Sequence, residues 1–396
     1  MNKDVIYRAM NTLVTKGVID PPIPKFKEKA TLILKKLDRV FDMSQAVPNS
    51  PTFPKIRELV SSEVATSSAV SFYTDILGNH DLRNAICAFH PLGKHFSTDE
   101  IMITAGANHA MYTALTTMLN IGDSILLLEP HYFNYDMAGA MLGLRAQYHV
   151  LQACKGFLPV PEAVIGSLEK TRAKAIILIT PNNPTGAKYP AQDVLSIVRW
   201  CSSHHVEVFL DETYLCFDPN HLNVNEIGKY IGQGLSIVGS FSKSHSLTGY
   251  RVGYLISGVP QLKQAQKIQD TMVICASHIG QRAAYHGLQC CSDDVKKKVA
   301  EIDQLTRIMQ DGCKKLKRFS LASCGAFFGY LKHPFSKLSS EEAALELLEN
   351  TGIFGLPGEV FGNAQKDFIR LSFCNLSSSD LEVAIEGLCG YDSRVN

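Results

Sequence analysis

A lysine that follows two serines is the residue of this chain with the clearest chemical potential. Lys243 follows Ser240 and Ser242, and Arg251 comes eight positions later. The apolar segment 235–239 that precedes these residues is typical of a buried strand. Hydroxyl groups and two cations at the end of a strand suit a bound phosphate and leave one amine free to react. These residue types favour a site where Lys243 carries pyridoxal phosphate as a Schiff base.

A second apolar segment ends in an acid. Asp211 comes directly after the apolar run 206–210, and Tyr214 follows three positions later. A carboxylate at the tip of a buried strand is costly to desolvate unless it is paired. A protonated pyridine nitrogen would be a suitable partner for Asp211, and Tyr214 would reach the ring hydroxyl. The alternative for Asp211 is a helix N-cap.

Three further strand ends carry side chains that suit the same ligand. Ala107 and Asn108 begin a helix after a glycine-bearing turn, which presents backbone N–H groups to an anion. Tyr132 is an aromatic residue placed to stack on a planar ring. Asn183 lies in a loop held by two prolines and a glycine. The alternatives are a plain strand-to-helix turn, a core tyrosine and an Asn-Pro turn.

Arg370 lies inside an apolar strand near the C-terminus. A guanidinium in such a place is expected to bind a carboxylate through two hydrogen bonds. The carboxylate would come either from a substrate or from the protein itself, as a structural ion pair.

The elements that must position these residues alternate along the chain. Short apolar runs recur from about residue 55 to 285, with helical patterns between several of them. This alternation predicts an α/β fold with a mostly parallel sheet covered by helices on both faces. A lysine-rich amphipathic helix over 295–319 begins a smaller α+β region. We expect an N-terminal arm over 1–50, a large domain over 51–290 and a small domain over 291–396.

Composition excludes several classes of function. The 396 residues carry a formal net charge of +1, so we expect no nucleic-acid partner and no membrane partner. No apolar run approaches the roughly 18 residues of a membrane span, and residues 1–4 lack the apolar stretch of a signal peptide. Eleven cysteines at irregular spacings indicate reduced thiols and a cytoplasmic location, with no metal site.

Taken together, these strand-end motifs resemble the class I/II aminotransferases, which are fold-type I pyridoxal-phosphate enzymes. The resemblance rests on Asn-Pro-Thr-Gly at 183–186, Asp-Glu-x-Tyr at 211–214 and Ser-x-Ser-Lys at 240–243 with Arg251. It implies a three-layer large domain with a seven-stranded sheet, and a homodimer with shared active sites. It also implies a transfer of an amino group between an L-amino acid and a 2-oxo acid.

The same resemblance implies a role for each matched residue. Lys243 would be the catalytic lysine, and Asp211 and Tyr214 would act on the cofactor ring. The phosphate would be bound by Ala107, Asn108, Ser240, Ser242 and Arg251, together with Tyr73 of the neighbouring subunit. Tyr132 would stack on the ring, Asn183 would donate to the ring oxygen, and Arg370 would hold the substrate carboxylate.

Two departures from the family pattern concern the substrate. Ala46 stands where the family more often has glycine, which would reshape the pocket because glycine allows a closer approach of the backbone. Family members that act on dicarboxylic substrates have a second arginine that binds the side-chain carboxylate. No arginine of this chain is a convincing match for it, and Arg282 is better explained as an arginine on a surface helix. An aspartate-type substrate is therefore disfavoured.

Two other functions remain open from the sequence. A lyase, cyclase or oxidase would form the same carbanion, with Lys243 as the base, and direct it elsewhere. A non-catalytic sensor with this fold would usually carry an added DNA-binding domain, for which only about 50 residues precede the large domain. We expect His245 to be locally bonded or solvated and not to line the pocket.

Overall fold

The computed structural model describes residues 14–15, 17–48, 50–218 and 225–395. The first and last parts of the expected N-terminal arm, residues 1–13, 16 and 49, lie outside the described residues. Within the described ranges the α-helices are α1 (Pro22–Leu34), α2 (Pro54–Thr66), α3 (His80–Phe89), α4 (Ala107–Met118), α5 (Phe133–Met141), α6 (Pro161–Thr171), α7 (Ala191–Ser203), α8 (Val259–Val273), α9 (His278–Cys290), α10 (Ser292–Cys313), α11 (Ser340–Thr351) and α12 (Ser378–Asp392). None of them is long and apolar enough to cross a membrane.

The strands form three sheets. They are β1 (Phe41–Asp42), β2 (Ile101–Thr104), β3 (Ser124–Glu129), β4 (Arg145–Val150), β5 (Ala175–Ile179), β6 (Glu207–Asp211), β7 (Leu235–Ser240), β8 (Gly253–Ile256), β9 (Ser320–Gly325), β10 (Phe328–Lys332), β11 (Ile353–Phe354), β12 (Leu356–Pro357) and β13 (Phe368–Ser372). The main sheet has seven strands in the order β2-β8-β7-β6-β5-β3-β4. Its strands are parallel except β8, which runs antiparallel to both of its neighbours.

Alternate residues of the central strands are buried on opposite faces of this sheet. In β5, Ile176 and Leu178 belong to the core shared with α6 and α7, whereas Ile177 and Ile179 belong to the core shared with α4 and α8. Strands buried on both faces read as continuous apolar runs, because no position is solvated. The predicted three-layer α/β architecture with a mostly parallel seven-stranded sheet is confirmed.

The C-terminal part of the chain forms a smaller antiparallel sheet in the order β12-β13-β10-β9, against which α10 and α11 pack, while α12 packs on α10 and α11. Strand β1 of the N-terminal arm pairs with β11 of this part. The helix expected over 295–319 ends earlier, at Cys313. The reason is that the backbone N–H groups of residues 317–319 donate to the carboxylate of Asp392 in α12 at 2.7–2.9 Å, and the chain then enters β9.

Candidate active site

A cavity of about 290 Å³ lies at the carboxyl ends of the parallel strands, where open α/β sheets bind their ligands. The structure brings every predicted site residue except Tyr73 to its wall. These residues are Ala46, Ala107, Asn108, Tyr132, Asn183, Asp211, Tyr214, Ser240, Ser242, Lys243, Arg251 and Arg370. Tyr73 is 75% exposed and does not line this cavity.

Lys243 follows β7 and extends its amine into the cavity. Its Nζ donates a hydrogen bond to the carbonyl oxygen of Ala46. Burial lowers the pKa of the Lys243 amine to about 8, against an opposing effect of the Cys374 thiol and with help from the positive charges of Arg370 and Arg251. With such a pKa about a tenth of the amine is neutral at pH 7 and about half at pH 8, far more than for a free lysine. The neutral amine is the form that acts as a nucleophile or a base.

One end of the cavity presents a guanidinium and the start of a helix, two groups that suit an anion. Arg251 is fixed by hydrogen bonds from Nη1 to the carbonyl of Thr248 at 3.1 Å and from Nη2 to that of Ala105 at 3.3 Å. Gly106 lies beside it with φ +86°, and a Cβ there would stand 2.6 Å from Nη2 of Arg251. Only glycine therefore lets the guanidinium approach the start of α4, where the first N–H groups, beginning with that of Ala107, have no acceptor within the helix itself.

Asp211 ends β6, the strand next to β7, lines the cavity and is 4% exposed. Its Oδ2 accepts from the hydroxyl of Tyr135 at 2.5 Å, and its Oδ1 accepts from the backbone N–H and the hydroxyl of Thr213 at 2.9 and 2.7 Å. Burial raises the pKa of the Asp211 carboxyl, and these hydrogen bonds offset part of the rise. A cationic partner in the cavity would favour the ionised form.

Arg370 lies on β13, lines the cavity and is 1% exposed. Its Nη1 donates to Oδ1 of Asn183 at 3.0 Å, and its Nη2 donates to the carbonyl of Ser44. Among the described residues, its buried Nε has no acceptor. Burial lowers the pKa of Arg370 to about 10, so the group is still cationic at neutral pH and pairs with no carboxylate in the described ranges. Within the described residues, Arg370 therefore does not form the structural ion pair that was the alternative to a substrate-binding role.

The rings and the loop around Arg370 are fixed by close packing. Its guanidinium carbon lies 5.4 Å from the ring centroid of Phe328, and the ring of Tyr214 packs edge-on against that phenyl group at 5.3 Å. The loop that carries Asn183 approaches the smaller sheet at Gly186, which has φ +70° and where a Cβ would stand 2.3 Å from the carbonyl oxygen of Gly325. This contact sets Asn183 between the two sheets, where it lines the cavity and its Oδ1 accepts from Arg370.

The structure also adds residues that the sequence did not single out. Tyr135 and Thr213 hold Asp211, and Asn134 donates to the hydroxyl of Tyr132 at 2.8 Å. Ile23, Gln45 and Val47 line the cavity near Ala46. The hydroxyl-bearing Thr213 was detectable as a residue two positions after the acid, where a short side chain bonds back to it. Tyr135 lies on α5, and no local pattern relates it to β6.

Arg282 and His245 are the two residues that the sequence analysis set aside from the site, and neither lines the cavity. Arg282 lies outside the cavity, on α9, where its guanidinium binds the carboxylate of Glu63 with Nη2 at 2.7 Å. It is thus partly buried in an ion pair and is not simply a surface arginine. His245 does not line the cavity. It is buried, and its Nδ1 lies 2.8 Å from the hydroxyl of Ser244, so the expected local bond is present.

The donors of this cavity fit pyridoxal phosphate. The anion end offers Arg251, the hydroxyls of Ser240 and Ser242 and the start of α4, while Asp211 offers a buried carboxylate for a cationic ring nitrogen. Lys243 lies between them with an amine of lowered pKa. The fold and this arrangement define the class of fold-type I pyridoxal-phosphate enzymes.

Comparison with known proteins places the chain within that class. Residues 39–388 match the family described as aminotransferase class I and II. The aspartate aminotransferase of Sulfolobus acidocaldarius is 30% identical over 339 residues, which cover 82% of this chain and 83% of that protein. The one of Thermotoga maritima is 28% identical and covers 91% and 94%. A crystal structure of an aminotransferase from Mycobacterium tuberculosis has a TM-score of 0.87 at 21% identity, with 97% and 99% covered.

The chain belongs to the class I and II aminotransferase family. It is a pyridoxal-phosphate-dependent aminotransferase, as the strand-end motifs predict. The resemblance inferred from the sequence is confirmed over nearly the whole chain.

Proposed function

We propose that this enzyme moves an amino group between a neutral L-amino acid and a 2-oxo acid, with Lys243 as its catalytic lysine. The observation that carries the proposal is that Lys243, Asp211 and Arg370 come from distant parts of the chain and face one cavity. Each is buried or nearly so, and each carries a group that a bound amino acid or the cofactor would use.

In this proposal, separate residues of the cavity bind the substrate, remove its proton and stabilise the charge of the cofactor ring. Arg370 and the amide of Asn183 bind the α-carboxylate, which directs the α-carbon towards Nζ of Lys243. The neutral amine of Lys243 takes the α-proton, which its lowered pKa allows near neutral pH. Asp211, held by Tyr135 and Thr213, would supply the negative charge that keeps a ring nitrogen protonated. Pyridoxal phosphate, when bound, supplies the electron sink that makes the α-proton acidic.

The charges on the cavity wall support a neutral substrate side chain. The charged residues that line it are Asp211, Lys243, Arg251 and Arg370. All of them have a part in binding the cofactor or the α-carboxylate, so no described cation remains for a second carboxylate. Ile23, Ala46 and Val47 contribute apolar side chains to the lining, beside the uncharged Gln45, and apolar groups favour an apolar substrate side chain.

A comparison of donors tests both the reaction and the substrate class. Leucine, methionine and phenylalanine are supplied with and without a 2-oxo acid, beside aspartate and glutamate, and the new amino acid is measured by chromatography. We expect product only when the acceptor is present and a higher kcat/KM for the apolar donors. More than one equivalent of 2-oxo acid per site without any acceptor would refute transamination: from methionine alone it would indicate a lyase, which eliminates the side-chain thiol, and from all three donors with uptake of O2 it would indicate an oxidase. Equal or better use of aspartate would refute the neutral side chain.

We also propose a homodimer in which Tyr73 serves the neighbouring subunit's site. His278 Nδ1 lies 3.3 Å from the carbonyl of Phe72, and Gln281 donates to Thr74 at 3.0 Å, so the segment 72–74 lies against the start of α9. Several exposed apolar side chains share this surface: Phe72, Tyr73, Met272, Val273, Ile274 and Ile279. A surface of this kind favours burial against a second copy.

Light scattering tests the dimer directly. Ile279→Asp is expected to convert a dimer to a monomer, because it introduces a charge into the buried face. Ile121→Asp changes a side chain that is 88% exposed elsewhere and serves as the matched control. A wild-type monomer at micromolar concentration would refute the proposal.

We further propose a division of the chain into the arm 1–50, the large domain 51–290 and the small domain 291–396, and a cytoplasmic location. The break between α9 and α10 at Cys291 and the pairing of β1 with β11 support the division. The eleven cysteines are all unpaired in the structure, which supports a reducing compartment. Limited proteolysis and fractionation of the native cell test these two statements.

A further inference from the structure

A second lysine is buried close to the reactive one. Lys298 occupies the apolar stripe of α10, whose other buried members are Ile302, Leu305, Met309 and Cys313. It is 5% exposed, and among the described residues it forms no ion pair. Burial of an ammonium group without an ion-pair partner is costly. A specific contact is therefore needed to explain why Lys298 occupies this core position.

That contact is with the loop that carries Lys243. Nζ of Lys298 donates to the hydroxyl of Ser246, three residues after the reactive lysine. Ser246 has φ +55°, a left-handed conformation that non-glycine residues seldom adopt. The ammonium also lies 5.7 Å from the centroid of the Phe53 ring, within the range of a cation–π contact.

Ser246 is also bonded to the segment that follows the cavity wall. Its hydroxyl lies 3.0 Å from that of Ser50, and its carbonyl accepts from the hydroxyl of Thr52 at 2.9 Å. A few residues earlier, the carbonyl of Ala46 accepts from Lys243. Lys298 therefore stands where α10, the Lys243 loop and the segment 46–53 meet.

We propose that Lys298 is a positioning residue for Lys243. Its ammonium ties the loop 243–246 and the segment 50–53 to α10, and it places a second positive charge near the reactive amine. This role rests on the proposed role of Lys243 in carrying the cofactor.

The charge of Lys298 has a defined set of neighbours. The groups that face it are the thiols of Cys216 and Cys374 and the carboxylate of Glu301. It acts in turn on His245 and on Lys243, where it contributes to the lowered pKa of the reactive amine. Burial lowers the pKa of Lys298 itself to about 8, so most of its charge is present at pH 7 and lost by pH 9.

The test follows the apoenzyme and the loaded enzyme in parallel. Lys298→Met keeps the length and removes the charge, Lys298→Arg keeps the charge, and Lys297→Met removes a charge from the exposed neighbouring position. An amine-directed reagent labels Lys243 in the apoenzyme from pH 6.5 to 10, and mass spectrometry gives the labelling rate. We expect Lys298→Met to raise the labelling midpoint by roughly 0.2 to 0.5 pH unit, because the charge of Lys298 is the smallest of the influences on Lys243 and is itself half lost near pH 8. Lys298→Arg and Lys297→Met should keep the midpoint at or near the wild-type value.

The affinity of the apoenzyme for pyridoxal phosphate tests the tie through Ser246. Ser246→Ala and Lys298→Met are each expected to weaken binding by about 3- to 10-fold. The double variant should lose less than the product of the two effects, because the hydrogen bond between Lys298 and Ser246 is lost in both single variants. Multiplied effects, or a Lys298→Met protein that labels and binds as the wild type does, would overturn the proposal. So would a lower melting temperature with an unchanged labelling midpoint, which is the signature of a merely structural lysine.

Two controls keep these outcomes separate from other failures. If Lys298→Met does not fold, Ser246→Ala and Lys298→Arg still decide the matter, because wild-type affinity in Ser246→Ala refutes the tie. Borohydride reduction of the wild-type holoenzyme, followed by peptide mapping, shows independently whether the cofactor is on Lys243. A label elsewhere would remove the proposed function itself, whatever Lys298 does.

Discussion

Replacement of Arg370 by lysine should strongly lower kcat/KM for amino acids, whose α-carboxylate this arginine is proposed to bind, and should change the fold and the cofactor content of the site much less. Arg370 is buried, with Nη1 bound to Asn183 at 3.0 Å and Nη2 to Ser44, and its Nε has no described acceptor. A lysine keeps the charge but offers a point contact in place of the planar fork. The variant therefore tests whether the geometry of this guanidinium serves a ligand.

The size of the effect follows from the hydrogen bonds at stake. A charge-assisted hydrogen bond contributes about 1.5–3 kcal/mol, and the fork makes one more of them to a carboxylate than an ammonium does. The lost bond and the poorer fit at a buried site give about 2–4 kcal/mol, which corresponds to a decrease in kcat/KM of about 30- to 1,000-fold. Arg370→Gln removes the charge as well and should cost more.

The assay compares each amino acid with the amine that lacks its α-carboxylate. In the wild type we expect the amino acid to be strongly preferred, and in Arg370→Lys we expect this preference to shrink, because only the amino acid uses Arg370. Cofactor absorbance and melting temperature verify that the variant is folded and loaded. If the variant loses the amino acid and the amine by the same factor, Arg370 shapes the site without binding the carboxylate, and the reasoning fails.

Three further predictions address the other groups of the cavity. Arg251→Gln removes the cation beside Gly106 and should weaken the affinity for pyridoxal phosphate by about 100-fold, measured by equilibrium dialysis. The effect on kcat at saturating cofactor should be smaller, and an unchanged affinity would show that the phosphate binds elsewhere. Asp211→Asn keeps a side chain that Tyr135 and Thr213 can still bond but removes the charge, and kcat should fall by about 100-fold or more, whereas near-normal turnover would show that no cationic ring faces it. Because burial disfavours the charged amine, Lys243 loses its proton at lower pH than a free lysine, so its labelling in the apoenzyme should rise with pH to half its maximum near pH 8; a midpoint near 10.4 would show an ordinary, solvated lysine.

Much of the fold and of the candidate site could be predicted because its signals are local. Buried parallel strands read as apolar runs, and the chemistry follows them directly, as with Asp211 after 206–210 and Lys243 after 235–239. Strand β4 was harder to predict, because it is an edge strand whose residues are mostly exposed or half-buried and are not continuously apolar. The end of α10 was set by Asp392, which is about 75 residues away in the sequence.

The part of the site that the sequence could not supply depends on contacts between distant residues. The bond from Tyr135 to Asp211 joins α5 to β6, and the bond from Lys298 to Ser246 joins α10 to the lysine loop. Neither pair has a characteristic spacing, so only the folded chain reveals it. The sequence did contain one weak signal for Lys298, because this lysine occupies a position in the otherwise apolar stripe of α10.

The measurement that tests the central claim most directly is the location of the covalent cofactor. The holoenzyme is reduced with borohydride and digested, and the peptides are sequenced by mass spectrometry. The account predicts the reduced cofactor on Lys243 alone, and no incorporation in Lys243→Ala. A cofactor found on Lys298 or another lysine, or full incorporation in Lys243→Ala, would contradict it.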